Sequence, residues 1–367
     1  MNRTAISATD TKAVVKALLD WFALNQRDLP WRHTQDPYAI WVSEIMLQQT
    51  QVKTVIPYYQ RWLKALPTLR DLAAAPESTI LKLWEGLGYY TRVRNLQKGA
   101  QLIVEKYGGE FPKDFDLIQD LPGIGRYTAG AIASIAFNTP RPILDGNVIR
   151  VLTRLHAIKS NVASVKTRET LWGIAGSLVH EAAEHDHHPA PCSSLNQALM
   201  ELGALICVPR GPACMLCPLQ MHCEAYASGL ADSLPRQNAR PVATPRRFAA
   251  CVLEVDGLYL VEKRAEGGVN AGLWEFPNVE LTDLEESSAP LAAAIELTGI
   301  AADAWTPLLT VRHSITRYRI TQEVLITQPA KRVAPWCPKG KWFDLASLKT
   351  LPFSSAHKRI VRKLAKE

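Results

Sequence analysis

Four of the chain's seven cysteines lie within one short segment near the middle of the sequence. They follow the spacing C-x6-C-x2-C-x5-C, and they are Cys207, Cys214, Cys217 and Cys223. Thiolate sulfur binds zinc and also iron–sulfur clusters, and this spacing alone leaves both open. The pattern therefore predicts a four-thiolate metal site. Arg210, in the first loop of that site, is available to contact a phosphate.

A glycine-rich turn is the second group of residues that could bind a ligand. In the segment Leu121–Gly130, Gly123 and Gly125 lie between two predicted helices, the second beginning near Tyr127. Glycine lets the backbone approach a ligand closely, and a helix N-terminus offers unpaired N–H groups. We therefore expect a DNA phosphate to bind here. Asp145 follows, before an apolar-periodic run, where the usual role of Asp is to cap a helix.

The predicted secondary structure that positions these groups changes along the chain from helices to strands. Residues 1–229 are typical of helices, with apolar residues recurring three and four apart after starts such as Asp36-Pro37. Segment 230–247 is rich in Arg and Pro, which predicts an extended basic linker. Beyond it, two β-like runs joined by an Asp-Gly turn predict a hairpin. We expect an all-α domain followed by a smaller α+β domain over 248–367.

Composition narrows the class of protein. The chain has 367 residues, 47% of them hydrophobic, which suffices for two or three domains. Its net charge of +7 favours a polyanionic partner. No apolar run reaches the length of a membrane span, and the first residues lack the pattern of a signal peptide. An odd number of cysteines argues against a disulfide framework.

The combination of these motifs resembles a known superfamily. The hairpin at about 114–138, Asp145 and the cysteine loop 207–223 together resemble the helix-hairpin-helix superfamily of base-excision DNA glycosylases. The resemblance implies that the four cysteines hold one [4Fe-4S] cluster. It also implies a multidomain fold, with the helical catalytic domain followed by a Nudix-like α+β domain.

Three further segments narrow the resemblance to the adenine DNA glycosylase (MutY) family. They are Ser43–Val52, Gly86–Tyr90 and Leu195–Cys207, and the resemblance extends almost continuously from about Leu29 to Cys223. It implies a substrate of double-stranded DNA with adenine opposite 8-oxoguanine or guanine. We expect a monomer that acts on DNA in the bacterial cytoplasm and binds no membrane.

Cleavage of an N-glycosidic bond needs a proton for the leaving base and stabilisation of an oxocarbenium-like sugar. Glu44 lies in an apolar helix, where burial would raise its pKa and keep it protonated near neutral pH. The resemblance implies that Glu44 protonates adenine, that Asp145 stabilises or traps the sugar cation, and that Asn147 supports that site. Tyr127 stands where related strand-cleaving enzymes carry a lysine. Without that amine no Schiff base can form, so we predict hydrolysis without efficient strand cleavage.

Recognition of a base in a duplex requires the base to leave the stack. By resemblance, Arg32 and Gln197 match adenine-recognition positions, whereas Gln49 and Tyr89 match residues that wedge into the duplex. An aromatic ring suits that role because it can stack on a base. Tyr89 could instead be a core aromatic residue, and Trp31 fits the core as well as a pocket wall.

The C-terminal domain departs from its family pattern. Gly267–Pro277 resembles the part of the Nudix fold that precedes the catalytic helix, but Ala292–Gly299 lacks the glutamate cluster that binds magnesium. We therefore expect no nucleotide hydrolysis. In the MutY family a Phe-Ser-His loop of this domain recognises 8-oxoguanine, and Ile315, Thr316 and Arg317 align with it. Thr316 keeps a hydroxyl for the lesion, and Arg317 has a permanent charge that could contact phosphate.

Two other functions are compatible with parts of this pattern. A glycosylase for thymine or uracil opposite guanine would share the hairpin, the cluster and the tyrosine, but would lack the Nudix-like domain. A non-catalytic DNA-binding module would not need both Glu44 and Asp145. A separate group, His185, His187 and His188, could bind a metal, although a solvated acidic loop is the preferred interpretation.

Overall fold

The computed structural model describes residues 8–185, 187–238, 242–282, 287–315, 317–332 and 337–366. Thr316 therefore lies outside the described residues. The chain divides into two compact units. The first comprises Met1–Ala74 and Arg94–Ala239, and the second comprises Ala75–Val93 and Arg240–Glu367. None of the helices in the described ranges is long and apolar enough to cross a membrane.

Helices account for the regular structure up to residue 239 in the described ranges. They are α1 (Ala8–Asn25), α2 (Pro37–Leu47), α3 (Val52–Ala65), α4 (Leu69–Ala74), α5 (Glu77–Trp84), α6 (Thr91–Tyr107), α7 (Phe115–Gln119), α8 (Arg126–Phe137), α9 (Gly146–Leu155), α10 (Val165–Ala183), α11 (Pro191–Leu205) and α12 (Glu224–Ala227). Short 3-10 turns occupy Pro30–Arg32, Cys214–Leu216, Gln220–His222 and Ala231–Ser233. Of these helices, α5 and the first residues of α6 belong to the second unit.

The helix starts follow local capping chemistry. Asp36 caps α2 by accepting a hydrogen bond from the Tyr38 N–H, and Pro37 occupies the first helical position. Every residue of α2 from Tyr38 to Met46 is buried, so this helix is surrounded by protein on all sides. An acidic residue on α2 is consequently removed from water whichever way it points.

Close helix packing in the first unit requires glycine at one position near the predicted site. A Cβ added to Gly203 of α11 would lie 2.6 Å from the Cβ of Asn147 on α9. That distance is shorter than real Cβ contacts allow, so any larger residue would push the two helices apart. The start of α9 is therefore held against α11 at the point where Asn147 stands.

The second unit contains strands and three further helices beyond residue 240. The strands are β1 (Thr244–Val255), β2 (Leu258–Lys263), β3 (Trp274–Glu275), β4 (Asn278–Leu281), β5 (Thr306–Ile315), β6 (Tyr318–Thr327) and β7 (Lys341–Asp344). The helices are α13 (Ala289–Thr298), α14 (Leu345–Thr350) and α15 (Ser355–Leu364), with a 3-10 turn at Ala302–Ala304. In the described residues these strands form one sheet of order β3-β2-β1-β6-β5, with β4 on β1 and β7 on β2.

The strand β1 organises this sheet. Its N-terminal part pairs in parallel with β6 and antiparallel with β4, whereas its last residues pair with β2 across the predicted hairpin turn. The pairing with β6 begins at Thr244, within the segment predicted to be a linker. Residues Thr244–Arg247 form a strand because they pair with residues of β6 that lie more than seventy positions away in the sequence. The local composition of the segment gives no sign of that pairing. An all-α unit and an α+β unit with a Nudix-like sheet are both present, which confirms the predicted fold class.

Candidate active site

A cavity of about 540 Å³ opens in the first unit, and seven of the predicted site residues line it. The walls come from the 3-10 turn Pro30–Arg32, α2, α8, the start of α9 and α11. The predicted residues that it brings together are Arg32, Glu44, Gln49, Tyr127, Asp145, Asn147 and Gln197. Trp31 also lines the cavity and is 8% exposed, so it serves the core and the wall together.

Glu44 is the buried acid of this cavity. It lies on α2 with 5% of its surface exposed, and its Oε2 accepts a hydrogen bond of 2.7 Å from the Tyr127 hydroxyl. Burial raises the pKa of Glu44 to about 7, the Tyr127 hydrogen bond opposes that rise, and the charge of Asp145 adds to it. A carboxyl group with this pKa can be protonated near neutral pH.

Asp145 is the second carboxylate of the cavity and also caps a helix. Its Oδ1 accepts a hydrogen bond of 2.7 Å from the Val148 N–H, and its Oδ2 accepts one of 2.9 Å from Asn147 Nδ2. Burial raises the pKa of Asp145, whereas these hydrogen bonds and the charge of Arg150 lower it. The capping role and a role in the cavity are therefore compatible, because the side chain performs both.

Arg150 connects this carboxylate to the cysteine loop. Its Nη2 donates to Asn147 Oδ1 at 2.9 Å and to the Gly203 carbonyl at 2.6 Å. Its Nε donates to the Cys207 carbonyl at 2.6 Å. One turn further along α9, Arg154 Nη1 lies 3.3 Å from Cys207 Sγ. The sequence analysis did not identify Arg150 or Arg154 as site residues. The signal that could have found them is their position on the same helix as Asn147, four residues apart and therefore on one helix face.

Glu201 of α11 also lines the cavity and anchors two arginines. Its carboxylate is 1% exposed and accepts hydrogen bonds from Arg27 and from Arg32. Although burial favours the neutral acid, the hydrogen bonds from Arg27 and Arg32 hold the pKa of Glu201 at about 2. The Nε of Arg32 is buried and has no hydrogen-bond partner within the described ranges. Glu201 thus fixes the orientation of Arg32 in the cavity wall, while the Nε–H of Arg32 has no acceptor among the described residues.

The four predicted metal ligands meet at a second, smaller cavity. Cys207, Cys214, Cys217 and Cys223 all line a space of about 30 Å³, and all four are free thiols. Burial raises the pKa of Cys217 to about 12, so that thiol stays protonated unless a metal displaces the proton. Within the part of the chain that the structure describes, no group of three or more His, Cys, Asp or Glu residues is arranged to hold a single metal ion.

Comparisons with known proteins show which families this chain resembles. Residues 42–176 match the HhH-GPD superfamily of base excision DNA repair proteins, and residues 249–363 match the NUDIX domain family. Adenine DNA glycosylase of mouse (Mus musculus) is 36% identical over 412 residues, which cover 96% of this chain and 78% of the mouse protein. Its human counterpart (Homo sapiens) is 36% identical and covers 94% of this chain and 73% of its own length.

The chain belongs to the adenine DNA glycosylase family. A bacterial member, from Buchnera aphidicola, is 38% identical over 73% of this chain and 74% of its own length. Among solved structures, a thermostable thymine-DNA glycosylase has a TM-score of 0.52 and 31% identity; it covers 60% of this chain and 98% of that one. The protein is accordingly a DNA glycosylase, and a Nudix-like domain accompanies its helical unit, as predicted.

The remaining predicted residues of this adenine DNA glycosylase family member do not line the large cavity. Gly123 has φ 78° in the turn before α8, and a Cβ there would lie 2.7 Å from the Cβ of Asn95. Gly125 precedes α8 with open space around its Cα. Tyr89 has φ 47° and is 47% exposed, so the alternative that it is a core residue is wrong.

Two of the three residues aligned with the lesion-recognition loop, Ile315 and Arg317, lie at or next to the ends of two strands of the second unit. Ile315 is the last residue of β5, and Arg317 directly precedes β6. The guanidinium of Arg317 donates to the Tyr318 hydroxyl at 3.0 Å and lies over its ring. In the histidine segment, the His188 N–H donates to the His185 carbonyl, and burial lowers the pKa of His188.

Proposed function

We propose that this chain removes adenine from duplex DNA in which adenine lies opposite 8-oxoguanine or guanine, by hydrolysis of the N-glycosidic bond. One observation carries the proposal: two carboxyl groups with different surroundings, Glu44 and Asp145, line the same cavity. The family relationship supports adenine as the base, since the curated relatives are named for it.

The two carboxyl groups suit opposite roles in this reaction. Glu44 accepts one hydrogen bond, from the phenol of Tyr127, and its burial favours the protonated form. This environment makes Glu44 the general acid for the leaving adenine. Asp145 receives N–H bonds from Val148 and Asn147, which stabilise the carboxylate beside the developing positive sugar. Proton transfer to adenine weakens the glycosidic bond, Asp145 stabilises or traps the sugar cation, and water then completes hydrolysis.

Recognition of the flipped adenine is proposed for Arg32 and Gln197, which line the same cavity as Asp145. Arg32 is held by Glu201 and retains a buried Nε donor, which suits a ring-nitrogen acceptor on the base. Gln197 lines the same cavity and has both a donor and an acceptor on its amide. Tyr127 supplies a phenol where strand-cleaving relatives supply an amine. We therefore propose base removal without a Schiff base and without efficient strand cleavage.

We further propose that the four cysteines hold one [4Fe-4S] cluster. The donor set fits the group, because four thiols surround one space and no histidine or carboxylate lines it. Arg154 Nη1 adds a positive charge 3.3 Å from Cys207 Sγ, beside the negative charge that a cluster held by four cysteines would carry. When bound, the cluster would cross-link the four cysteines and hold loop 207–223 in a fixed position against α9. Iron rather than zinc by elemental analysis of purified protein, together with visible absorbance, would support this assignment; zinc alone would refute it.

Recognition of the opposite base is proposed for residues outside the large cavity, together with Gln49 on its rim. Gln49 and Tyr89 are exposed residues in left-handed turns, which suits side chains that enter a duplex. Ile315 and Arg317 flank Thr316, to which the resemblance assigns the contact with the lesion. The glycines of the hairpin, Gly123 and Gly125, are proposed to receive a DNA phosphate at the start of α8.

The first test is single-turnover adenine release from duplexes with adenine opposite 8-oxoguanine, guanine, cytosine or thymine. The proposal expects the fastest release opposite 8-oxoguanine and measurable release opposite guanine. Release opposite guanine alone would keep the chemistry and reject the lesion preference. If no duplex released adenine while a thymine–guanine mispair lost thymine, the chain would act on a different mispair.

A further inference from the structure

The turn that carries Tyr89 is held rigidly by its own neighbours. Gly86 has φ 112° and Gly88 has φ 70°, so the chain reverses through conformations that glycine adopts most easily. Trp84 Nε1 donates to the Gly88 carbonyl at 3.0 Å. The Arg92 guanidinium donates to the same carbonyl and lies over the rings of Trp84 and Tyr89. The exposed Tyr89 ring is therefore presented from an ordered turn.

Glu85 begins this turn and is one of the most deeply buried acids of the second unit. Its side chain is 2% exposed, and it accepts a hydrogen bond of 2.9 Å from the Phe353 N–H. Lys82 Nζ donates to Glu85 Oε2 at 3.1 Å, and Lys358 of α15 forms an ion pair with the same oxygen. One carboxylate therefore joins the end of α5 to two different points of the C-terminal segment.

The contacts of Glu85 continue into the sheet of the second unit. Lys82 Nζ also donates to the Leu351 carbonyl at 2.8 Å, and the Tyr90 hydroxyl lies 3.3 Å from the Phe353 carbonyl. Phe353 is 1% exposed and stacks on Phe276, which follows β3 directly. Residues 75–93 form one unit with residues 240–367 through contacts of this kind.

We propose that Glu85 is a positioning residue for the contact of Tyr89 with the lesion side of the duplex. This inference rests on the proposed function, because it needs Tyr89 to enter DNA. Glu85 fixes the turn 86–89 to the C-terminal segment, so the discrimination that Tyr89 exerts depends on a carboxylate that touches neither DNA nor adenine. Lys358 is its partner on α15.

The negative charge of Glu85 is needed to balance the positive charges of Lys82 and Lys358. Lys82 and Lys358 both pair with the same oxygen of Glu85, so the carboxylate holds two positive charges close together. In Glu85→Gln the amide can still accept from the Phe353 N–H, but two ammonium groups then face each other without a counter-charge. That repulsion would act at the base of the Tyr89 turn.

The experiment measures single-turnover adenine release opposite 8-oxoguanine and opposite guanine, and takes the ratio of the two rates. The variants are Glu85→Gln, Lys358→Met, Tyr89→Ala and Tyr89→Ala combined with Glu85→Gln. Lys366→Met is the matched control, since it removes an exposed charge just beyond α15. Amide hydrogen exchange of residues 86–93 is followed in each variant.

Loss of base stacking in Tyr89→Ala is expected to lower the ratio by roughly tenfold. We expect Glu85→Gln and Lys358→Met to lower it by about threefold or more and to speed exchange in the turn, because they act through the same ring. Lys366→Met leaves the ratio unchanged. In the Tyr89→Ala background, Glu85→Gln has no further effect on the ratio.

Two results would overturn the inference while leaving the proposed function intact. One is an unchanged ratio in both Glu85→Gln and Lys358→Met in an active enzyme. The other is an equal loss with and without Tyr89, which would mean that Glu85 acts elsewhere. Lys358→Met keeps Glu85, Lys82 and the Phe353 contact, so it tests the idea even where Glu85→Gln fails to fold. A wild-type chain that releases no adenine would overturn the proposed function itself.

Discussion

At the scale of single residues, the division of labour between Glu44 and Asp145 follows from their hydrogen-bond partners. Glu44 is buried and Asp145 is partly buried, and removal from water alone would raise the pKa of each. Glu44 has one phenolic donor, whereas Asp145 has the Val148 and Asn147 donors and the nearby charge of Arg150. The second environment favours the ionised form more strongly, which supports the proposed role of Glu44 as the acid.

Replacement of Glu44 by Gln removes the transferable proton but keeps the size of the side chain. Adenine release should fall by about 10²–10⁴-fold, the usual contribution of a positioned general acid. Binding of duplex DNA should persist, which single-turnover kinetics and a parallel binding titration would measure. Glu105→Gln, an exposed substitution on α6, is the control. Loss of binding in step with activity would point to a docking role for Glu44 instead.

The pH dependence of release follows from the same pair. The acid must be protonated, so the rate should fall by about tenfold per pH unit above the Glu44 pKa of about 7. Asp145 must be ionised, so the rate should also fall at low pH. Because the Tyr127 hydrogen bond lowers the pKa of Glu44, Tyr127→Phe should move the alkaline limb to higher pH. A pH–rate profile of both proteins checks this, and an unmoved or lowered limb would contradict the assignment.

At the scale of elements, α9 connects the chemistry to the cysteine loop. Its N-cap is Asp145, its first turn carries Asn147, and Arg150 reaches from Asn147 to the carbonyl of Cys207. A helix is a stiff spacer, and Gly203 lets α11 approach it closely. The orientation of the Asp145 carboxylate therefore depends, through Asn147 and Arg150, on the position of the cysteine loop 207–223.

Arg150→Met should expose this dependence. Without the guanidinium, Asn147 loses a partner and Asp145 loses a charge that lowers its pKa. We expect release to slow by roughly tenfold or more, which is the cost of a buried charged hydrogen bond, and the acid limb of the pH profile to move to higher pH. Arg168→Met on the exposed face of α10 should change neither. An acid limb that stayed in place would mean that Arg150 supports the fold but not Asp145.

The same scale separates what the sequence could predict from what it could not. Helix α2, the cap at Asp145 and the Asp256-Gly257 hairpin depend on neighbours within a few residues, so local patterns predicted them. The bonds of Glu201 to Arg32 and of Glu85 to Phe353 join positions 169 and 268 residues apart. No local periodicity encodes such a pair. The inclusion of residues 75–93 in the second unit was missed for the same reason.

At the scale of the whole molecule, the two units hold different parts of the proposed reaction. The first contains the cavity, both carboxyl groups and the four cysteines. The second contains Tyr89 and the β5–β6 turn. Substitutions of Glu44 or Asp145 in the first unit should therefore change the rate on every duplex alike, whereas substitutions of Gln49, Tyr89 and Thr316 should change the preference between opposite bases.

Arg317 tests this division because its charge suits a phosphate better than a base. We expect Arg317→Ala to weaken binding to all duplexes equally and to reduce the slope of log affinity against log salt by about 1. The ratio of release opposite 8-oxoguanine and guanine, and the pH profile, should stay as in the wild type. Arg332→Ala is the control, since Arg332 lies beyond the other end of β6 in an exposed pair with Asp256. A loss confined to 8-oxoguanine duplexes would instead make Arg317 a lesion contact, and the second unit would then recognise the base through a charged side chain.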